Sequence, residues 1–237
     1  QPDFTFRLFA HDVDDGPGGP PVFRLDGSLL YQSTGRDSTL VADLAAGLAF
    51  GYFSPTTLAD PVSFRWHFLE LAFFMLLESR GLMGVHGAAL AKGGQAVLLR
   101  AHSGGGKTTL AYAAATSGKF QALAEDVVWL DDRRNLWWGE MKLEVNLETI
   151  RPGSTVVSAH PKAIVLVERL VAGKSRLEPL SPVAVQDLWP AGSTGLEMQL
   201  PHHPAHIEAL LKNKAYHLSF GDDIEAGVTL LETIIEE

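Results

Sequence analysis

The stretch Ala101-His102-Ser103-Gly104-Gly105-Gly106-Lys107-Thr108 constrains this chain more than any other. It follows Gln95-Ala96-Val97-Leu98-Leu99-Arg100, which reads as a buried strand, and it opens an alanine-rich segment over 108–117 that reads as a helix ended by Gly118. Small residues between a strand and a helix let the backbone wrap an anion. Successive N–H groups form a cradle, and the helix N-terminus adds donors and the positive end of its dipole. In the phosphate-loop pattern Gly-x-x-x-x-Gly-Lys-Ser/Thr, the lysine reaches the β- and γ-phosphates and the hydroxyl ligates Mg²⁺. On that reading Ser103, Gly104, Gly105, Gly106, Lys107, Thr108 and Thr109 hold the phosphates of ATP, and Thr108 also takes Mg²⁺. The competing reading is a flexible glycine turn that happens to precede Lys-Thr. Alanine at the first position cannot take a positive φ cheaply, so that end of the loop is expected to be slightly reshaped. His102 is expected to be a loop side chain rather than a base.

A phosphate loop needs an acid on a neighbouring strand. Glu125 and Asp126 interrupt the apolar strand expected over 121–130. Two acids there are costly to bury without a cation. Alternatively the strand bends at that point and the acids are solvated. Asp131 and Asp132 precede two arginines and read as an exposed turn. His86, in Val85-His86-Gly87 on the strand before the loop strand, is by itself either a satisfied strand histidine or a functional one. His202, His203 and His206 could ligate a metal, but no acidic or cysteine partner is near in sequence, and a surface loop opening a helix is the preferred reading.

Composition narrows the partners. The formal charge is −9 over 237 residues, so the chain lacks the basic stripe that nucleic acid requires. A bound polyphosphate must then be held by local amides, one lysine and a metal ion. The absence of cysteine removes disulfides, thiolate zinc sites and cysteine nucleophiles. No signal pattern is visible at the start, though the initiator Met is missing, and the expected location is the cytoplasm. The apolar runs 44–53 and 71–77 are shorter than the roughly 20 residues of a membrane span and read as core.

Along the chain, 4–9 and 22–25 read as strands flanking an acidic, Gly/Pro-rich stretch over 12–21 that lacks calcium-loop spacing. Residues 63–80 read as one helix, whose aromatic side suits core packing better than a partner groove. An apolar run covers 85–91, extended segments are expected at 136–141 and 143–147, a buried-type strand at 163–168 and a short strand near 215–220. Helices are expected at 182–188, 205–211 and 224–236. Strand–loop–helix–strand with a surplus of strands predicts α/β with a mixed sheet.

These residues together resemble the HPr kinase/phosphorylase family and its short relatives. The resemblance rests on His86-Gly87-Ala88-Ala89-Leu90, on Ser103-Gly104-Gly105-Gly106-Lys107-Thr108-Thr109-Leu110-Ala111, and on Ala124-Glu125-Asp126-Val127-Val128. The family has a His-Gly strand, a Ser-Gly-x-Gly-Lys-Ser/Thr loop and an Ala-Asp-Asp strand in this order. The match covers about 84–130, and more loosely 163–168. It implies a phosphoenolpyruvate carboxykinase-like variant of the phosphate-loop fold, with a mixed, strand-rich twisted sheet and few helices. Carried over by position, Lys107 binds the β/γ-phosphates and Thr108 the Mg²⁺. Asp126 is the catalytic acid/base and also a metal ligand, Glu125 helps to hold the metal, and His86 lies near the transferred phosphoryl group.

The sequence departs from the family in three ways. Glu125 replaces Asp, the spacing from Lys107 to the acids is slightly longer, and the Glu-Ile-Arg-Gly signature is reduced to a faint echo at Leu143-Glu144-Val145-Asn146. Loss of that signature argues against phosphorylase activity and against HPr itself as the substrate. The long N-terminal domain of full-length members is also missing.

The expected organisation is a β-rich lead-in over 1–60 packed on an ATP-binding domain over 61–237. The expected activity is Mg·ATP-dependent transfer to a serine-type hydroxyl of a peptide, protein or small molecule. The alternative is a nucleotide-binding regulatory or partner module without transfer. Decarboxylating carboxykinase chemistry would need a second metal site and an arginine set that the sequence does not display. The partners expected are the unknown phosphate acceptor and a homo-oligomer, with no nucleic acid and no membrane.

Overall fold

In the computed structural model, residues 4–13, 19–35, 37–140, 157–181, 184–185 and 203–237 are described. The extended segment expected at 143–147, most of the helix expected at 182–188, His202 and the centre of the acidic stretch lie outside them.

Two compact units divide the chain, Gln1–Gly81 and Leu82–Glu237. The division falls later than the boundary expected after residue 60, because the helical segment serves the first unit's own sheet. That sheet has five strands: β1 (Thr5–Ala10), β2 (Val22–Asp26), β3 (Leu29–Thr34), β4 (Ser38–Asp43) and β5 (Leu48–Phe53). They lie in the order β1-β5-β4-β3-β2, with β1 parallel to β5 and the rest an antiparallel meander. Against it pack α1 (Pro55–Ala59), α2 (Pro61–Phe64), a π-helical turn at Arg65–Glu70 and α3 (Leu71–Glu78). Pro55 and Pro61 sit at the helix starts, where the missing N–H costs nothing. Ser54 and Asp60 accept from the amides of Thr57 and Ser63 as caps. The aromatic side of this segment is core: the Phe53 ring meets those of Phe64 and Phe68 edge-on at 4.8 and 4.9 Å. The helix expected over 63–80 is observed as one unbroken helical run from Pro61 to Glu78 that carries a π-helical turn.

In the second unit β8 (Gln95–Arg100) is the organising strand. It pairs antiparallel with β7 (Ala88–Lys92) on one side and parallel with β12 (Ser158–Arg169) on the other. Beyond β12 lies β14 (Lys214–Phe220), also parallel, and then β13 (Arg176–Leu180), antiparallel. Beyond β7 lies β9 (Gln121–Ala124), antiparallel. The unit is α/β, with a mixed, strand-rich sheet and few helices. Consecutive side chains point to opposite faces, and β8 is apolar from Ala96 to Leu99 because both faces are covered. Leu99 packs with α4 (Lys107–Thr116) and the final helix, α6 (Ile224–Glu236), through Leu110, Leu231 and Ile234. Leu98 faces the other core with Met83, Ile164 and Leu210, the last from α5 (His203–Leu211).

Two expected continuous elements are broken. The run over 85–91 becomes β6 (Met83–His86) and β7, separated at Gly87. The strand expected over 121–130 becomes β9 and β10 (Val127–Leu130), separated by a bend at Glu125 and Asp126. β6 and β10 pair with each other, and β10 pairs on with β11 (Leu136–Glu140). Both breaks occur at one level, joined by a 2.8 Å bond from the Gly87 amide to the Asp126 carbonyl. Gly87 is required there, since a Cβ would lie 2.7 Å from the Leu99 carbonyl oxygen. Among the described residues no helix is long and apolar enough to cross a membrane.

Candidate functional site

The loop is shaped by two glycines. Gly104 and Gly106 have φ of 78° and 93°, the left-handed region where a Cβ is strained. Gly106 directly precedes α4, so the chain turns and presents the first amides of the helix, which have no intrahelical carbonyl to meet. A Cβ on Gly106 would lie 2.6 Å from the Phe220 ring, and one on Gly105 would lie 2.7 Å from the Ala101 methyl. Ala101 does not have a positive φ; among the described residues Arg134 is the one non-glycine that does. The left-handed positions of this loop are Gly104 and Gly106, so alanine at 101 meets no strained φ.

Lys107 is buried, and its ammonium donates to the Ala101 carbonyl at 3.0 Å, which folds the side chain back over the loop. Thr108 and Thr109 are half-buried in the first turn of α4, while Ser103 and His102 are exposed.

The acids form the second component. The strand does bend at Glu125 and Asp126, yet both remain buried, at 5% and 7% exposure. The bend replaces strict strand alternation, so the two side chains are separated by a turn of the backbone rather than by pleating. The Thr108 hydroxyl donates to Glu125 Oε1, which ties the acid strand to the start of α4. Asp126 Oδ1 lies 3.5 Å from His86 Nδ1. The structure thus joins Thr108 to Glu125 and Asp126 to His86, while Lys107 bonds the loop's own backbone at Ala101.

One buried cation beside the loop was not singled out from the sequence. Arg100, at the end of β8, is 1% exposed and donates from Nη1 to the His86 carbonyl at 2.7 Å. Its signal was a lone cation closing an apolar strand. On the other flank of β8, Arg100 and the loop share a cleft of about 480 Å³ with Leu166, Val167, Glu168, Arg169 and His217. Glu168 and Arg169 were legible as charges at the end of a buried-type strand, but their place beside the loop was not.

Of the histidines near 203, His202 lies outside the described residues. His203 is buried at the start of α5 rather than in a surface loop. Among the described residues there is no group of three or more His, Asp or Glu able to hold a metal ion.

No protein-family model matches this chain, and no curated protein matches it. Among solved structures, the HPr(Ser) kinase/phosphatase from Coxiella burnetii is a distant likeness: the alignment covers 65% of this chain and 88% of that one, at 12% identity and a TM-score of 0.38.

Proposed function

We propose that this site binds Mg·ATP and transfers the terminal phosphoryl group to a serine-type hydroxyl of a peptide, protein or small molecule. The observation that carries this reading is the contact between the Thr108 hydroxyl and buried Glu125 at the mouth of a glycine-shaped loop. A hydroxyl and a carboxylate side by side at a helix N-terminus form a donor set suited to a hard cation. Two acids this deeply buried are also best accounted for by positive charge close by. With no three-acid cluster among the described residues, Mg²⁺ would take its other ligands from phosphate oxygens and water.

In this reading Thr108 and Glu125 hold the metal, and Lys107 and the first amides of α4 hold the β- and γ-phosphates. Bound Mg²⁺ supplies neutralisation of charge on the bridging phosphate oxygens. Asp126 orients the acceptor hydroxyl and takes its proton as the new oxygen–phosphorus bond forms and the bond to the β-phosphate oxygen breaks. His86 fixes the Asp126 carboxylate, and Arg100 fixes the backbone of His86. Two features that would favour a non-catalytic nucleotide-binding module lose force here: Ala101 adopts no strained φ, and the longer Glu125 side chain still reaches Thr108.

The test is calorimetry of Mg·ATP with the whole chain and its Lys107→Ala variant, followed by ADP release with candidate acceptors. Loss of a charge-assisted contact of about 1.5–3 kcal/mol predicts binding weakened roughly ten- to hundredfold, with circular dichroism unchanged. Unchanged affinity would remove the phosphate-loop reading.

A further inference from the structure

The proposed chemistry uses one flank of the loop and leaves the other empty of function. Glu125 and Asp126 follow β9, beyond β7, on one side of β8. The cleft with Glu168, Arg169 and His217 lies on the other side, at the carboxyl ends of β8, β12 and β14, three strands that run parallel. Ligands of open α/β sheets bind outside the carboxyl ends of parallel strands. A volume of about 480 Å³ falls within the range of small-molecule pockets.

The chemistry of the cleft changes with distance from the loop. Arg169 borders the loop: its Cβ lies 3.2 Å from where a Cβ on Gly106 would stand. Leu166 and Val167 supply apolar surface. Glu168 and His217 sit together, with Nε2 3.4 Å from Oε2. A carboxylate repels a phosphate chain, so Glu168 is misplaced in a pure polyphosphate subsite. It is a good acceptor for ribose hydroxyls or for a base amine. A polyphosphate lying on the loop with its transferable end at Asp126 would carry its other end into this cleft.

We propose that the cleft seats the nucleoside end of a nucleoside triphosphate, with Glu168 and His217 reading the nucleoside and Arg169 meeting the phosphate next to it. This rests on the phosphate-loop reading above, and the experiment separates the two. Affinities of the whole chain for ATP and for inorganic tripolyphosphate, both with Mg²⁺, are measured for the wild type, for Glu168→Gln, and for the double variant Glu168→Ala with His217→Ala. The wild type should prefer ATP by roughly tenfold or more, the scale of one hydrogen bond to a charged group. Glu168→Gln should lose part of that preference and the double variant nearly all of it, while tripolyphosphate affinity does not fall and can rise as the repelling carboxylate is removed. Equal wild-type affinities, a preference intact in the double variant, or equal weakening of both ligands would overturn the nucleoside cleft and leave the loop reading standing. A wild type that binds neither ligand would overturn both.

Discussion

Gly104 and Gly106 hold the loop in place by dihedral angle, whereas Glu125 and Asp126 hold theirs by burial and by the partners they reach. The first region is made of backbone and is fixed as soon as β8 and α4 form around it. The second is made of side chains on a bend whose position depends on β6, β7, β9 and β10 together. On the proposed function the contrast should separate binding from transfer: damage to the backbone region should reach affinity first, and damage to the side-chain region should reach turnover with affinity spared.

The largest effect that would break this contrast is at Asp126. Asp126→Asn should lower the rate of ADP release with the true acceptor by about a hundredfold or more, the scale of a lost positioned base, while calorimetry shows ATP affinity nearly unchanged. A parallel loss of affinity would mean that the acid flank also binds nucleotide. Next in size is Gly106→Ala, which meets both a left-handed φ and the Phe220 ring. The left-handed conformation alone costs about 1–2 kcal/mol, so affinity should fall roughly tenfold or more and the melting temperature should drop. Glu125→Gln should leave saturating turnover within reach but move the magnesium midpoint upward severalfold, read from a magnesium titration of ADP release; an unmoved midpoint would detach Glu125 from the metal. Smallest is Ala101→Gly. It should change ATP affinity by less than about twofold, because no positive φ is needed there, and should lower the melting temperature slightly through added freedom of the unfolded chain.

Legibility in the sequence followed the same division. β8 and α6 occur where apolar pattern and end signals place them, and α4 is displaced by one residue at each end. Lys107, Thr108 and the glycines were readable because each owes its role to local geometry. The bend at Glu125 was not readable as such. An apolar run with two acids fits a strand carrying a buried pair as well as it fits a bend, and only the partners of β9 and β10 distinguish them. The actual arrangement takes something from each reading: the chain bends, and the acids stay buried. In the first unit, three of the five strands escaped notice. Leu40, Ala42 and Ala49 point inward while Val41 and Phe50 stay exposed, so apolar residues on both faces hide the alternation that marks a half-buried strand. Arg100 and Glu168 lie far apart in sequence and share a cleft only because β8 and β12 run parallel.

The contact between Ala101 and Gly105 bears on how such loops can vary. One methyl group fits between the two positions, and Ala101 supplies it: a second, on Gly105, would stand 2.7 Å away. The first position is therefore released from glycine only while the fifth keeps it, and the fifth is held to glycine by the His102 carbonyl as well, 3.0 Å from the same Cβ position. A motif that insists on glycine at the first place would pass over this chain. A rule that weighs both places together would retain it, and would reject a loop carrying side chains at each.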